Sequence, residues 1–228
     1  MKNPHLALAE RLGHRFNDEK FLTLALTHRS AVGPNNERLE FLGDGALNFV
    51  IAAELFKLRP NLPEGDLSRL RATLVRGVTL AEIAIELDLA DQLIMGEGEM
   101  RSGGFQRGSI QADAVEALIG AVYLDAGFDA CQKVVLGLYK QRLASLPDVA
   151  DLKDPKTRLQ ERLQSRGRPL PQYEQSSVSG KPHAQTFVVK CTLEDAEQVS
   201  TGEGTSRRKA EQVAAAAMLL TLDKLGAK

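Results

Sequence analysis

The chain has 228 residues, of which 43% are hydrophobic and 26% charged, and its formal net charge is −1. These values exclude a disordered chain and a uniformly basic one, and the length accommodates one large or two modest cored domains. No apolar run approaches the roughly 18 residues of a membrane span and no basic, then apolar, leader opens the chain, while Cys131 and Cys191 lie far apart without histidines at metal spacing; the expectation is a cytoplasmic protein with reduced thiols.

In chain order, helical periodicity dominates the first part. It predicts helices at Pro4–Leu12, Asp18–Leu26, Glu37–Leu58, Glu64–Val75, Val78–Leu87, Ser109–Ala126 and Phe128–Leu146. Strand-like alternation is nearly absent there, so an all-α domain is expected over residues 1–146. The Arg101–Gly108 stretch reads as a Gly-rich loop carrying Arg101 and Arg107. Residues 147–153 contain Pro147, lack helical periodicity and read as a linker. The pattern then changes to a helix at Asp154–Ser165, strands at Tyr173–Val178, His183–Leu193 and Gln198–Glu203, and an Ala-rich helix at Thr205–Leu225. Residues 154–226 therefore read as a small α+β domain of order α-β-β-β-α.

The charge is unevenly spread. From Lys153 to Lys228 there are 13 Lys and Arg against 9 Asp and Glu, a balance of +4, whereas Met1 to Leu152 holds 16 against 21, a balance of −5. Such asymmetry between halves points to a nucleic-acid module joined to something else.

The most informative run is N-E-R-L-E-F-L-G-D-G-A-L-N-F-V, Asn36 to Val50. Glu37, Glu40 and Asp44 fall at i, i+3 and i+7, on one face of a helix whose other residues are apolar enough to be largely buried. Like charges beside a core are expensive, and a hard divalent cation, which prefers oxygen ligands, relieves that cost. The bland alternative is a solvated acidic stripe. A second segment, Ser109 to Gly127, shifts the balance: Ser109 reads as an N-cap and Gly127 as the C′ residue, and its apolar body carries Asp113 and Glu116 at i, i+3. Two such faces packed together form a carboxylate cage for one or two Mg²⁺ ions, the arrangement needed for metal-assisted hydrolysis of a phosphodiester.

E-R-L-E-F-L-G-D, followed downstream by A-D-A-V-E-A-L-I-G, resembles the ribonuclease III family of double-stranded RNA endonucleases, in particular its bacterial members. L-T-H-R-S at Leu26–Ser30, P-E-G-D-L-S-R-L-R-A-T-L-V at Pro63–Val75 and G-E-G-E-M-R-S-G-G at Gly96–Gly104 resemble the same family. The resemblance implies that Glu40, Asp44, Asp113 and Glu116 are the catalytic acids. Glu40 and Glu116 then coordinate metal directly, and the two aspartates complete or support the site. It places Glu37 and Glu64 at further acidic positions of the family's active-site valley. Gly45 departs from the family pattern, which usually has Ser or Ala after the aspartate. His28 in T-H-R-S reads as a capping or packing residue rather than a base.

The second domain resembles the double-stranded-RNA-binding domain. A-form RNA offers 2′-hydroxyls in a shallow minor groove and phosphates across the major groove. Thr157, Gln160 and Glu161 share a helical face suited to one minor groove, and the Gly180–His183 turn presents His183 to the next. Ser206, Arg207 and Arg208, at the start of the last helix, offer N–H groups and charge to phosphates. By resemblance these are the family's three RNA-contact regions. Glu211 is a departure, since the commonest pattern has a third basic residue there.

The expectation is a Mg²⁺-dependent endoribonuclease, with Mn²⁺ as a substitute metal, acting on double-stranded RNA. The resemblance implies products with 5′-phosphate, 3′-hydroxyl and short 3′ overhangs, and roles in ribosomal-RNA maturation and messenger-RNA processing. It also implies a homodimer, because the family's signature helix contributes to a twofold interface; Phe41, next to Glu40, is the expected interface residue. The competing class is a non-catalytic double-stranded-RNA chaperone, which the four retained acids argue against.

Overall fold

The computed structural model describes residues 4–226 apart from 182–183 and 196–197. Two compact units divide at Pro147 and Asp148. The first is helical: α1 (Pro4–Leu12), α2 (Glu19–Leu26), α3 (Glu37–Leu58), α4 (Glu64–Leu74), α5 (Gly77–Glu86), α6 (Glu97–Arg101), α7 (Gly108–Leu138) and α8 (Lys140–Ala144), with 3₁₀ turns at Ala90–Gln92 and Gly104–Gln106. The second comprises α9 (Val149–Leu152), α10 (Pro155–Gln164), β1 (Gln172–Ser179), β2 (Thr186–Leu193), β3 (Gln198–Gly204) and α11 (Arg207–Gly226).

The first unit is organised around α7, whose residues Ala114, Val115, Ala117, Leu118, Ile119, Gly120, Ala121 and Val122 are all buried. Small residues on this helix let its neighbours approach. At Gly43 of α3 an added Cβ would sit 1.8 Å from the Glu116 carbonyl oxygen, and at Gly120 of α7 it would sit 2.2 Å from the Leu39 carbonyl oxygen. The two backbones therefore touch, and only glycine permits it at either point. Further along α7, Asp125 accepts N–H bonds from the backbone of Asn17 and Asp18 at 2.9 Å each and pairs with His14 at 2.9 Å, fixing the entry to α2.

Several sequence expectations are corrected. The helix starting near Ser109 is capped by Arg107 and begins at Gly108, with no side-chain cap. One expectation holds: Gly127, at φ 80°, ends the first helical segment as a C′ residue does, and a second segment follows it and runs to Leu138. The helix expected to continue to Leu146 breaks at Tyr139, whose side chain is fully buried with its hydroxyl donating to the Leu74 carbonyl at 3.2 Å, and α8 follows to Ala144. The Arg101–Gly108 stretch starts on the last residue of α6 and includes a 3₁₀ turn, and the 147–153 segment contains the helical turn α9. Helix α3 is not buried all round: Phe41, Phe49 and Phe56 are 83%, 61% and 70% exposed.

In the second unit the three strands pair antiparallel in the order β1-β2-β3, with a bulge between Gln175 and Ser177. Strand β2 begins at Thr186 rather than at His183, which lies outside the described residues. Leu159 and Leu163 of α10, Cys191 and Leu193 of β2 and Ala214, Ala215, Met218 and Leu222 of α11 form the core. The alanines let α11 lie close on the sheet: a Cβ at Gly202 of β3 would meet the Ala214 nitrogen at 2.2 Å.

Candidate active site and nucleic-acid interface

The contact of α3 with α7 brings the two acidic faces together. Carboxylate oxygens of Glu40, Asp113 and Glu116 lie within 4.8 Å of one another, and all three side chains are half-buried. Asp44 is not in that trio. It is exposed, and its carboxylate accepts the Asn48 amide at 2.7 Å one turn on, yet its charge still reaches Glu40 and Glu116.

The electrostatics match an unneutralised cage. Burial, followed by the charges of Asp44, Glu40 and Asp113, pushes Glu116 up to about 7. Burial, then Asp113 and Glu37, raises Glu40. Burial also raises Asp113, against the pull of His28 and Arg29. Three oxygen donors held together at this cost suit a hard divalent cation, which favours all of them ionised.

A cavity of about 660 Å³ opens beside Glu40 and Asp113, also lined by His28, Arg29, Glu37, Glu99 and Arg107. Glu37 is thus at the site, 3.7 Å from Arg29. Glu64 does not line this cavity; at the start of α4 it accepts the Ser68 hydroxyl at 2.7 Å. Of the two loop arginines, Arg107 reaches the cavity and pairs with Glu99 at 2.8 Å, whereas Arg101 pairs with Glu97 at 3.0 Å on the surface.

Sequence reasoning passed over Gly43 and Gly120, the residues that permit the helix contact; the signal was a glycine in each acid-bearing helix. It instead singled out Gly45, where an added Cβ meets nothing within 4 Å.

In the second unit Gln160 and Glu161 are exposed on α10, and Glu161 pairs with Lys153 at 2.7 Å. Thr157 is half-buried and its hydroxyl donates to Asp154 at 2.9 Å. At the head of α11, Ser206 accepts the Lys209 N–H at 3.3 Å and lines a groove of about 760 Å³ with Arg208 and Lys209. Arg207 is turned aside to Glu211 at 3.0 Å, and Glu211 also holds Lys156 at 2.6 Å. The Glu211 departure thus engages two cations, Arg207 at the head of α11 and Lys156 of α10.

Comparison with known proteins agrees with this geometry. Residues 18–143 match the Ribonuclease-III-like family and residues 155–222 match the double-stranded RNA binding motif. The chain is 61% identical over 223 residues to Ribonuclease 3 of Alkalilimnicola ehrlichii, covering 98% of each chain. It is 54% identical to Ribonuclease 3 of Vibrio cholerae, covering 94% of this chain and 96% of the relative. Two solved structures of the nuclease domain of ribonuclease III from Campylobacter jejuni are similar, at 42% identity. One has a TM-score of 0.60, with 64% of this chain and all of that one covered; the other, described for structural flexibility in a region involved in dimer formation, has a TM-score of 0.59, with 61% and 98% covered. A helical unit with converging carboxylates, joined to an α-β-β-β-α unit and alike in sequence nearly end to end, establishes that the chain belongs to the ribonuclease III family of double-stranded-RNA endoribonucleases.

Proposed function

We propose that this endoribonuclease uses Mg²⁺, with Mn²⁺ as a substitute, and leaves 5′-phosphate and 3′-hydroxyl ends with short 3′ overhangs on ribosomal-RNA precursors and some messenger RNAs in the cytoplasm. The observation that carries the reading is the convergence of Glu40, Asp113 and Glu116. These three, with Asp44 close by, would hold the cation. A divalent ion held there supplies a Lewis acid and a nucleophile available at neutral pH. The chain's own groups do the rest: the carboxylates orient and accept protons, and Arg29 and Arg107 in the adjoining cavity draw in the phosphodiester. In this reading Glu37 and Glu64 support the acidic valley.

Residues 1–146 serve as the nuclease domain, 147–153 as the connector and 154–226 as the RNA-binding domain. Thr157, Gln160, Glu161, His183, Ser206, Arg207 and Arg208 contact the duplex.

The working form is a homodimer built on α3. Exposed Phe41 stands at the edge of a cavity of about 980 Å³ lined by Leu24, Pro34, Leu39, Leu42 and Leu124. A solvent-facing Phe beside an apolar hollow suits an isologous contact, in which each copy offers the same patch. Two centres related by a twofold axis cut both strands and account for the overhang.

Glu116→Gln tests the carboxylate role. The amide keeps the size and removes the charge that binds the ion, so cleavage of duplex RNA with Mg²⁺ is expected to vanish while the gel shift persists. Cleavage near the parent rate would overturn it.

A further inference from the structure

His28 and Ser30 form a hydrogen-bonded turn at the edge of the carboxylate site. The Ser30 backbone N–H donates to His28 Nδ1 at 3.2 Å, and the Ser30 hydroxyl lies 2.8 Å from the same nitrogen. The Gly96 N–H in turn donates to Ser30 Oγ at 3.0 Å. A backbone N–H is a donor only, so Nδ1 is the acceptor and the ring proton sits on Nε2. Ser30 Oγ accepts from Gly96, and with Nδ1 an acceptor the Ser30 hydroxyl proton completes the contact to Nδ1. Among the described residues His28 Nε2 has no partner. His28 lines the same cavity as Glu40, Asp113, Arg29 and Arg107.

The turn is held firmly. The His28 N–H donates to Ile94 at 2.8 Å and the Ile94 N–H donates to Leu26 at 2.9 Å, so the strand-like bridge between Thr27 and Ile94 carries Gly96 to Ser30. A Cβ at Gly96 would sit 2.2 Å from the Ser30 carbonyl oxygen, so only glycine allows this approach.

We propose that His28 is a substrate-contacting residue whose Nε2–H donates to a nonbridging phosphate oxygen of the strand being cut, and that Ser30 is the positioning residue that fixes the tautomer. The proposal rests on the reading of the adjoining carboxylates as the hydrolytic centre. The phosphate gains negative charge at its equatorial oxygens as the nucleophile attacks, and a donor already aimed and partly shielded from water is worth most at that moment. Ser30 gives up no proton to the substrate; it keeps the lone pair of Nδ1 occupied, so that the hydrogen stays on the cavity side.

The test is single-turnover cleavage of a defined RNA duplex by the full chain with Mg²⁺, alongside gel shifts in EDTA. His28→Ala is expected to slow cleavage on the order of 10²-fold, as removal of a preorganised donor does, with duplex affinity unchanged. Ser30→Ala is expected to cost about tenfold, the lower end for losing a partner that fixes a histidine, and Ser30→Thr to restore the rate. In the His28→Ala background Ser30→Ala is expected to cost nothing more, the non-additivity of two residues acting as one. Nitrogen NMR of His28 is expected to show the proton on Nε2. Parent-like cleavage by His28→Ala, additive losses, or a proton on Nδ1 would overturn the proposal. Thermal midpoints and the Thr variant separate these outcomes from misfolding. Glu116→Gln, run beside them, reports separately: its activity would sink the carboxylate reading, whereas its inactivity with full activity in His28→Ala sinks this proposal alone.

Discussion

The site depends on two helices meeting backbone to backbone, and Gly43→Ala perturbs that contact directly. The new Cβ would fall 1.8 Å from the Glu116 carbonyl oxygen, 2.6 Å from its carbon and 2.9 Å from the Gly120 nitrogen. Ordinary contact begins at 3.4 Å, so the obstacle must give by 1.6 Å, and it is α7 backbone flanked by the buried Val115 and Ala117 rather than a flexible side chain. Overpacking of this kind costs up to about 3 kcal/mol, against which alanine returns about 1 kcal/mol of helix propensity. Gly45→Ala is the internal control. It lies on the same helix in open space, so it is expected to stabilise by about 1 kcal/mol. The two variants should therefore differ by about 3 kcal/mol, or about 10 °C in the midpoint of the nuclease unit. Glu40 sits one turn before Gly43 and moves with it, so cleavage by Gly43→Ala is expected to fall on the order of 10²-fold from misplacement alone. Thermal unfolding in EDTA and single-turnover cleavage measure both effects. A Gly43→Ala protein as stable and as fast as the parent would refute the argument that this contact sets the carboxylate geometry.

Three further outcomes are expected. Glu116 is raised from 4.5 to about 7, so the folded state binds its proton more tightly than the unfolded chain does; that contribution is complete below about 4.5 and lost as the pH rises through 7. The metal-free midpoint should lose this part of its stability across that window, Mg²⁺ should restore it, and Glu116→Gln should abolish the decline; the same decline in the variant would count against the assignment. Phe41→Asp is expected to give helical monomers that cleave duplex RNA poorly, and sedimentation of the parent as a monomer at micromolar concentration would rule out the dimer. Glu211→Gln releases Arg207 and Lys156 from the ion pairs at 3.0 and 2.6 Å. It should tighten duplex binding and steepen the salt dependence by about one to two counterions, and an unchanged slope would show that neither cation reaches phosphate.

The sequence by itself determined which segments are helical and which acids belong together, because both are local matters of period and residue type. Helix α3 spans Glu37–Leu58 as its periodicity predicts, and the i, i+3 spacing of Asp113 and Glu116 places both on the face that meets Glu40. Contacts with distant partners were not legible: the Tyr139 hydroxyl, at the break in its helix, bonds Leu74, which lies 65 positions away. Only the tertiary structure decided that Gly43 and Gly120 set the separation of the acid-bearing helices, that Asp44 turns to Asn48 instead of joining the trio, and that Phe41 faces solvent rather than its own core. It also joined Ser30 to Gly96 across 66 positions, which gave His28 a fixed ring and an open donor. Periodicity reports which face of a helix a residue occupies. How closely two faces approach, and which hydrogen-bonding atoms are left without a partner, depends on the other surface, and that surface comes from elsewhere in the chain.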